Sequence, residues 1–404
     1  MKIYFLYTRK DIFYTIKVNS LCSTKAIAPC ALSIMLRVLS ILVILLYLEL
    51  AYNEYKIYYC FCPQRGMALQ HFHICGHLLF DYYMRCTMKI VVMEPLGVAL
   101  SKIETLAAPL KNAGHEVIYY ETKETDQTKL LERVKDADII MLANQPLSAD
   151  IIRQCSNLKF VDIAFTGVDH VGLEACRERN ITVSNAAGYS TNAVAELAFG
   201  LAISTIRNIV PCDKECRQGG TKDGLVGFEL YGKTFGVVGT GAIGSRVAEI
   251  ALAFGCKVIA YNRSVKPALE AKGVTFVDKD TLFKEADFVS LHTPLTEETK
   301  GLVNADTIRL MKPTAVLINT ARGPVVDSQA LADALNEGRL AAAGIDVFEN
   351  EPPIATDHPL CHAKHCVLTP HVAFASKEAL ETRADIVFDN IDAFLNGEPK
   401  NLVK

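Results

Sequence analysis

From residue 89 onward, short runs of apolar residues alternate with stretches whose apolar positions recur at helical spacing. KIVVMEP (89–95) reads as a strand, 103–113 as a helix ending near Gly114, 115–120 as a strand, 129–135 as a helix and 138–142 as a strand. A helix at 151–155 and strands at 159–163 and 181–184 continue the alternation. This order predicts a parallel sheet with helices on both faces, and its span of about 100 residues is that of a domain. A longer helix rich in Ala and Leu, 191–207, follows the candidate cap Ser190, and the turn-rich CRQGGTKDG (216–224) predicts a loop. Further strands are expected at 257–261, 288–291, 316–319, 342–346 and 366–368, and an amphipathic helix at 377–395 closes the chain.

Between these two series lies FGVVGTGAIGSRVAEIALA (235–253), which reads as a strand, a glycine turn and a helix. Gly239, Gly241 and Gly244 give the spacing G-x-G-x-x-G. The first glycine permits the tight turn, the second lets backbone approach a pyrophosphate, and the third lets helix pack on strand. The helix N-terminus then offers unpaired N–H groups to the phosphates. The legible strand before and helix after supply the context that a bare glycine pattern lacks. Because the fingerprint lies past the middle of the chain, a whole domain precedes it.

Composition changes the picture at one end. The first 87 residues hold 10 of the 15 Tyr and 6 of the 13 Cys, and carry a charge of +5, which leaves −8 for 88–404 out of the total of −3. A mildly acidic body argues against non-specific nucleic-acid binding, which needs a basic surface. Residues 26–48 are almost wholly apolar and long enough to span a bilayer, so one reading is a signal anchor on a membrane-tethered protein. Residues 49–87 show neither steady periodicity nor capping signals, whereas Met88 opens a fitting first strand. We therefore expect Met88 to be the working start, with 1–87 an atypical extension outside the working protein. Cys60, Cys62, His71, His73, Cys75 and His77 fit no zinc spacing, and no metal is expected. The other seven cysteines are scattered, as in a reduced cytoplasmic protein.

A dinucleotide site needs a group for the adenosine ribose about 20 residues beyond the glycines. Here the strand KVIAY is followed by Asn262 and Arg263. Asn262 removes the repulsion an Asp would exert on a 2′-phosphate, and Arg263 can pair with one, which leans the cofactor toward NADP. Three further segments put polar groups at strand ends, where ligands sit in open α/β sheets. They are INTARGPVVD with Arg322, GIDVFENEPP with Asp346, Glu349 and Glu351, and LTPHVAFAS with His371.

With these motifs, 88–404 resembles the D-isomer-specific 2-hydroxyacid dehydrogenase family, and FTGVDHV and TPHVAFAS look closest to its glycerate dehydrogenase, hydroxypyruvate and glyoxylate reductase branch. Phe374 stands where that branch often has Trp. The resemblance implies two doubly wound α/β domains, a Rossmann nucleotide-binding domain (188–372) inserted in a flavodoxin-like substrate domain (88–187 and 373–404). It implies NAD(P)H as cofactor, a small 2-keto or 2-hydroxy acid as substrate, and a homodimer, for which the helix after Ser190 would suit the interface. It places the catalytic Arg on Arg322, the Glu on Glu351 in preference to Glu349, and the His on His371. Backbone N–H groups at Thr166 and Gly167 would join Arg322 on the substrate carboxylate. Ala242, Ile243, Asn262, Arg263, Thr293, Pro294, Thr299, Thr320, Ala321 and Asp346 would line the cofactor beside the three glycines, with Asp346 touching the nicotinamide amide.

The chemistry suits these residue types on its own account. Reducing a 2-keto acid needs hydride at the carbonyl carbon and a proton at its oxygen. Histidine, with an ordinary pKa near 6.5, exchanges protons at neutral pH. A carboxylate on its other nitrogen would orient the ring, and an arginine fork clamps a carboxylate as Lys cannot. Two other readings use the same ancestry: a nucleotide-sensing corepressor without turnover, and formate or phosphite oxidation. The three polar residues together favour an enzyme over the first, and Glu351 argues against the formate enzymes, which carry Gln there.

Overall fold

The computed structural model describes residues 87–351 and 353–403. The apolar run 26–48 and the Cys/His group between 60 and 77 lie outside the described residues.

Five parallel strands form the first sheet: β1 (Lys89–Val92), β2 (Glu116–Tyr119), β3 (Ile139–Leu142), β4 (Phe160–Ile163) and β5 (Thr182–Asn185). Their order is β2-β1-β3-β4-β5, the doubly wound arrangement in which the chain reverses direction between β1 and β3. β3 and β4 are buried along their whole length, which is why IIML and FVDI read as continuous apolar runs rather than alternating ones. Some helices start where side chains satisfy their first N–H groups: Asp126 accepts from the amides of Thr128 and Lys129, and Ser148 from Ile151.

Seven parallel strands form the second sheet: β6 (Thr234–Val238), β7 (Lys257–Tyr261), β8 (Thr275–Phe276), β9 (Phe288–Leu291), β10 (Val316–Asn319), β11 (Ala342–Ile345) and β12 (Cys366–Leu368). The order β12-β11-β10-β9-β6-β7-β8 reverses between β6 and β9. The helix Thr191–Ile206 packs its Ala- and Leu-rich face into this sheet's core beside Phe235 and Ile318. The last helix, Lys377–Leu395, returns to the first sheet, where Val387 and Ile391 join the core and Phe394 stacks on Phe160 at 4.4 Å.

Two local expectations need correction, and one strand was not foreseen. The Ser190 side chain makes no capping bond to the helix that follows it. The segment read as a loop from 216 opens inside a helix, Ile209–Arg217, which Asn208 separates from its predecessor by adopting a left-handed φ of 53°. Asn tolerates that region better than most residues, so the break needs neither Gly nor Pro. Strand β8, only two residues long, has no periodicity to read. Among the described residues no single helix is long and apolar enough to cross a membrane, although Thr191–Ile206 and Ile209–Arg217, bent by 58°, meet that test as a pair.

Candidate active site

The fingerprint folds as its spacing requires. Gly239 has φ 89°, and a Cβ there would lie 2.7 Å from the His292 carbonyl oxygen. A Cβ on Gly244 would meet the Gly239 oxygen at 1.9 Å, so the helix Ala242–Ala253 packs directly on the turn. Gly241 opens instead onto free space, and its helix N-terminus has no side-chain cap. Around this opening the carboxyl ends of β6, β9 and β10 each carry a threonine hydroxyl, on Thr240, Thr293 and Thr320, that is buried without a hydrogen-bond partner. Buried hydroxyls are normally satisfied. Uncapped amides, an open glycine and three orphan hydroxyls fit a dinucleotide. Asn262 closes the cradle by accepting from the Thr240 amide (3.2 Å) and donating to the Ser264 carbonyl (2.8 Å). Arg263, next to it, is exposed.

Three loops after β10, β11 and β12 carry the charged groups. His371 Nδ1 lies 2.6 Å from Glu351 Oε1. Glu351 is itself oriented, since its Oε2 accepts from the Phe348 amide at 3.1 Å. His371 occupies the left-handed region with φ 52°, a strained position for a non-glycine residue. Its amide donates to the Asp346 carbonyl (2.7 Å). The fully buried Asp346 carboxylate accepts from the Thr369 hydroxyl (2.5 Å) and from the amides of Val372 (2.9 Å) and Ala373 (3.0 Å), so it grips the histidine loop on both sides. Burial raises the Asp346 pKa, and these bonds oppose the rise.

The first sheet supplies the facing wall through the loop after β4. A Cβ on Gly167 would fall 1.7 Å from Arg322 Nη2, so only glycine lets the guanidinium lie against this backbone. Arg322 Nε donates to Asp169 Oδ2 (3.1 Å) and Nη1 to the Ala321 carbonyl (2.7 Å), which fixes the plane of the fork. Phe165 meets the His371 ring edge-on at 6.1 Å and Phe374 at 4.9 Å. The loop is braced from behind: Asn185 Nδ2 donates to the Thr166 carbonyl (2.9 Å), and Asn390 Nδ2 to the Asn185 carbonyl (3.1 Å) and Asp162 Oδ1 (2.9 Å).

The structure thus brings Arg322, Glu351, His371, Thr166 and Gly167 to one cleft, and Gly239, Gly241, Gly244, Thr293 and Thr320 to the adjoining one. Thr299 turns inward, donating to the Pro294 carbonyl at 2.6 Å, and so shapes its own loop. Asp169, Phe165 and Thr240 received no role from the sequence. Asp169 and Arg322 are 153 positions apart, a distance no local pattern bridges.

Residues 199–373 match the model of the D-isomer specific 2-hydroxyacid dehydrogenase NAD binding domain. Hydroxypyruvate reductase of Blautia hydrogenotrophica is 35% identical over 323 residues, covering 78% of this chain and 99% of that one. Glyoxylate reductase of Thermococcus litoralis is 41% identical over 297 residues, 71% of this chain and 89% of its own. Among solved structures, an acyclic imino acid reductase in complex with NADPH and D-Arg superposes with a TM-score of 0.72 at 32% identity, over 78% of this chain and 100% of the other.

Proposed function

Because the chain belongs to the D-isomer specific 2-hydroxyacid dehydrogenase family, we propose that Arg322, Glu351 and His371 serve hydride transfer between a nicotinamide cofactor and a small 2-keto acid, hydroxypyruvate or glyoxylate. The observation that carries this reading is the 2.6 Å His371–Glu351 contact on the same cleft as a planar, pre-oriented arginine.

The three glycines, Ala242, Ile243, Thr293, Pro294, Thr320 and Ala321 would hold the cofactor, which when bound supplies the hydride. The chain's own residues do the rest. Arg322 keeps Nη2 for the substrate carboxylate, beside the backbone amides of Thr166 and Gly167, and so positions the carbonyl. His371 holds Nδ1 against Glu351 and turns Nε2 to the substrate, where it donates the proton that the carbonyl oxygen needs in reduction and recovers it in oxidation. Asp346 keeps the histidine loop in its strained conformation. The aromatic wall of Phe165 and Phe374 keeps water from the reacting carbon and favours small side chains.

NADPH as a cofactor is supported by the absence of a carboxylate at the end of β7, by the free Arg263 and by the NADPH-bound relative. A homodimer is supported by exposed apolar side chains in the stretch 209–231 that leads into the glycine turn. The helix Thr191–Ile206, expected at the interface, spends much of its surface inside the protein. Its neighbours are the exposed ones, with Val226 83% and Tyr231 76% accessible beside Ile209 and Val210. Sedimentation of a monomer at micromolar concentration would remove that proposal. The seven described cysteines are free, which suits a reducing cytoplasm, and recovery of the protein in a membrane fraction would overturn that placement.

Steady-state kinetics with NADH and NADPH tests the reading. His371→Ala should lower kcat by about 10²–10⁴-fold with the fold intact. Arg263→Ala should lower kcat/KM for NADPH about tenfold and leave NADH unchanged, one lost charge-assisted contact being worth about 1.5 kcal/mol. Near-normal turnover in the histidine variant would sink the catalytic reading, and a clear native preference for NADH would sink the NADPH reading alone.

A further inference from the structure

Glu349 and Glu351 stand two apart on the turn after β11, and they serve different histidines. Glu351 meets His371 in the cleft, while Glu349 Oε2 accepts from His358 Nε2 at 2.9 Å. His358 Nδ1 accepts the Leu360 amide at 3.3 Å, which leaves the Nε2 proton to Glu349. Burial works against the Glu349 carboxylate, but hydrogen bonds from Ser328 and His358 overcome it and hold its pKa below the ordinary value. The His358 ring is mostly enclosed, 14% exposed, while Glu349 stands on the solvent side with its side chain 32% exposed.

What joins the two pairs is Phe348. Its buried ring receives the His358 ring edge-on, centroids 5.2 Å apart at 89°. Its amide is the donor that orients Glu351 Oε2, at 3.1 Å. The same peptide is pressed by the Arg322 loop: a Cβ on Gly323 would lie 2.0 Å from the Phe348 carbonyl carbon, so this backbone cannot shift toward Arg322. His358 therefore touches both ends of the Phe348–Glu349 unit that sets where the Glu351 carboxylate points, and it touches nothing in the cleft.

We propose that His358, through its bond to Glu349 and its contact with Phe348, is a positioning residue that aims Glu351 at His371. The proposal rests on the reading of Glu351 and His371 given above. Glu351 acts on the proton-transfer step alone, so misaiming it lowers kcat while KM for keto acid and cofactor, set by Arg322 and the glycine turn, stays put. Displacements of about 1 Å at such a remove cost up to about 10²-fold in rate.

The test is a double-mutant cycle on the full chain with hydroxypyruvate or glyoxylate as substrate. His358→Ala should lower kcat about tenfold, with both KM values within about twofold, and His358→Gln, whose amide can still donate to Glu349, should recover most of the loss. In a Glu351→Gln background His358→Ala should cost less than about twofold more, because the group it aims is already neutral. Glu349→Ala removes the same bond from the solvent side and must reproduce both results, so a poorly folding His358→Ala does not end the test. Equal kcat losses in the two backgrounds, or a loss expressed in KM, would overturn the positioning role. If Glu351→Gln itself turns over normally, the failure lies in the reading of Glu351 and not in His358.

Discussion

Both sheets reverse direction at a switch point, the place where open α/β sheets bind ligands, but the two crevices are finished differently. Between β1 and β3 the fully buried Glu94 fills the gap: its Oε1 accepts from the amides of Ala143 and Gln145, each at 2.7 Å. Its Oε2 faces Lys123 Nζ at 3.4 Å without a well-formed hydrogen bond, and the same ammonium donates to Asn144 (2.5 Å). The first crevice has in effect bound an anion of its own. Between β6 and β9, among the described residues, no carboxylate is seen to take that part, and the hydroxyls of Thr240, Thr293 and Thr320 stay buried and unpaired. One architecture thus gives a closed crevice that stiffens the substrate side and an open one that is completed from outside. The difference lies in one residue at a strand end.

The strongest way to break this comparison is to empty the closed crevice. Glu94→Leu leaves the Ala143 and Gln145 amides buried without an acceptor, at about 1–3 kcal/mol each, so unfolding free energy should fall by about 2–6 kcal/mol. Glu94→Gln keeps one acceptor oxygen and should cost about 1 kcal/mol. Urea unfolding of the free protein measures both. A Glu94→Leu protein as stable as the native one would mean that the crevice needs no internal anion.

A pH series separates the two halves by sign. Desolvation pushes His292, a partly accessible residue packed beneath Gly239 and Gly244, from 6.5 down to about 3. Between those values the unfolded chain binds a proton that the folded one refuses. Stability is therefore lost as pH falls through this window, by at most about 1.4 kcal/mol per pH unit. Under the substrate loop the sign is opposite. Burial raises Asp162 well above 3.8, with the Asn390 hydrogen bond pulling the other way. Its contribution is fully present below pH 3.8 and is lost as pH rises through the folded value. Relative to the native protein, His292→Asn should gain stability toward acid and Asp162→Asn toward alkali. Parallel curves for both variants would show that these two groups do not divide the molecule.

What could be read beforehand follows the range of the interactions. Gly239, Gly241 and Gly244 were legible because the turn, the close approach and the helix start fall within six residues, and backbone sterics alone impose that spacing. Periodicity alone could not give the strand order of either sheet, since it reports which residues are buried and not which strand lies beside which; the doubly wound plan came from the family resemblance. Arg322, Glu351 and His371 could be named through motifs, yet the motifs do not record the contacts that orient them. Asp169 reaches Arg322 from the other sheet, and Phe348 orients Glu351 through its amide, which no side-chain pattern records. No local pattern signals the bond that His358 makes to Glu349, nine positions away. Ser190 had the right residue type for a cap and no capping bond, because residue type permits a hydrogen bond without placing its donor.

The finest division between the crevices concerns the orphan hydroxyls themselves. Thr320→Val or Thr293→Val swaps a buried, unpaired hydroxyl for a methyl of nearly the same shape. In the cofactor-free protein this removes an unsatisfied polar atom, so stability should hold or rise by up to about 1 kcal/mol. If the hydroxyl is kept for a nicotinamide dinucleotide, the same change should weaken NADH or NADPH binding about five- to tenfold, the worth of one hydrogen bond. Glu94→Gln should do the reverse, costing stability and leaving cofactor affinity alone. Thermal melts and fluorescence titration with NADH and NADPH read the two quantities independently. Valine variants that lose stability yet bind cofactor like the native protein would place the hydroxyls' true partners inside the fold, and the second crevice would then be as self-contained as the first.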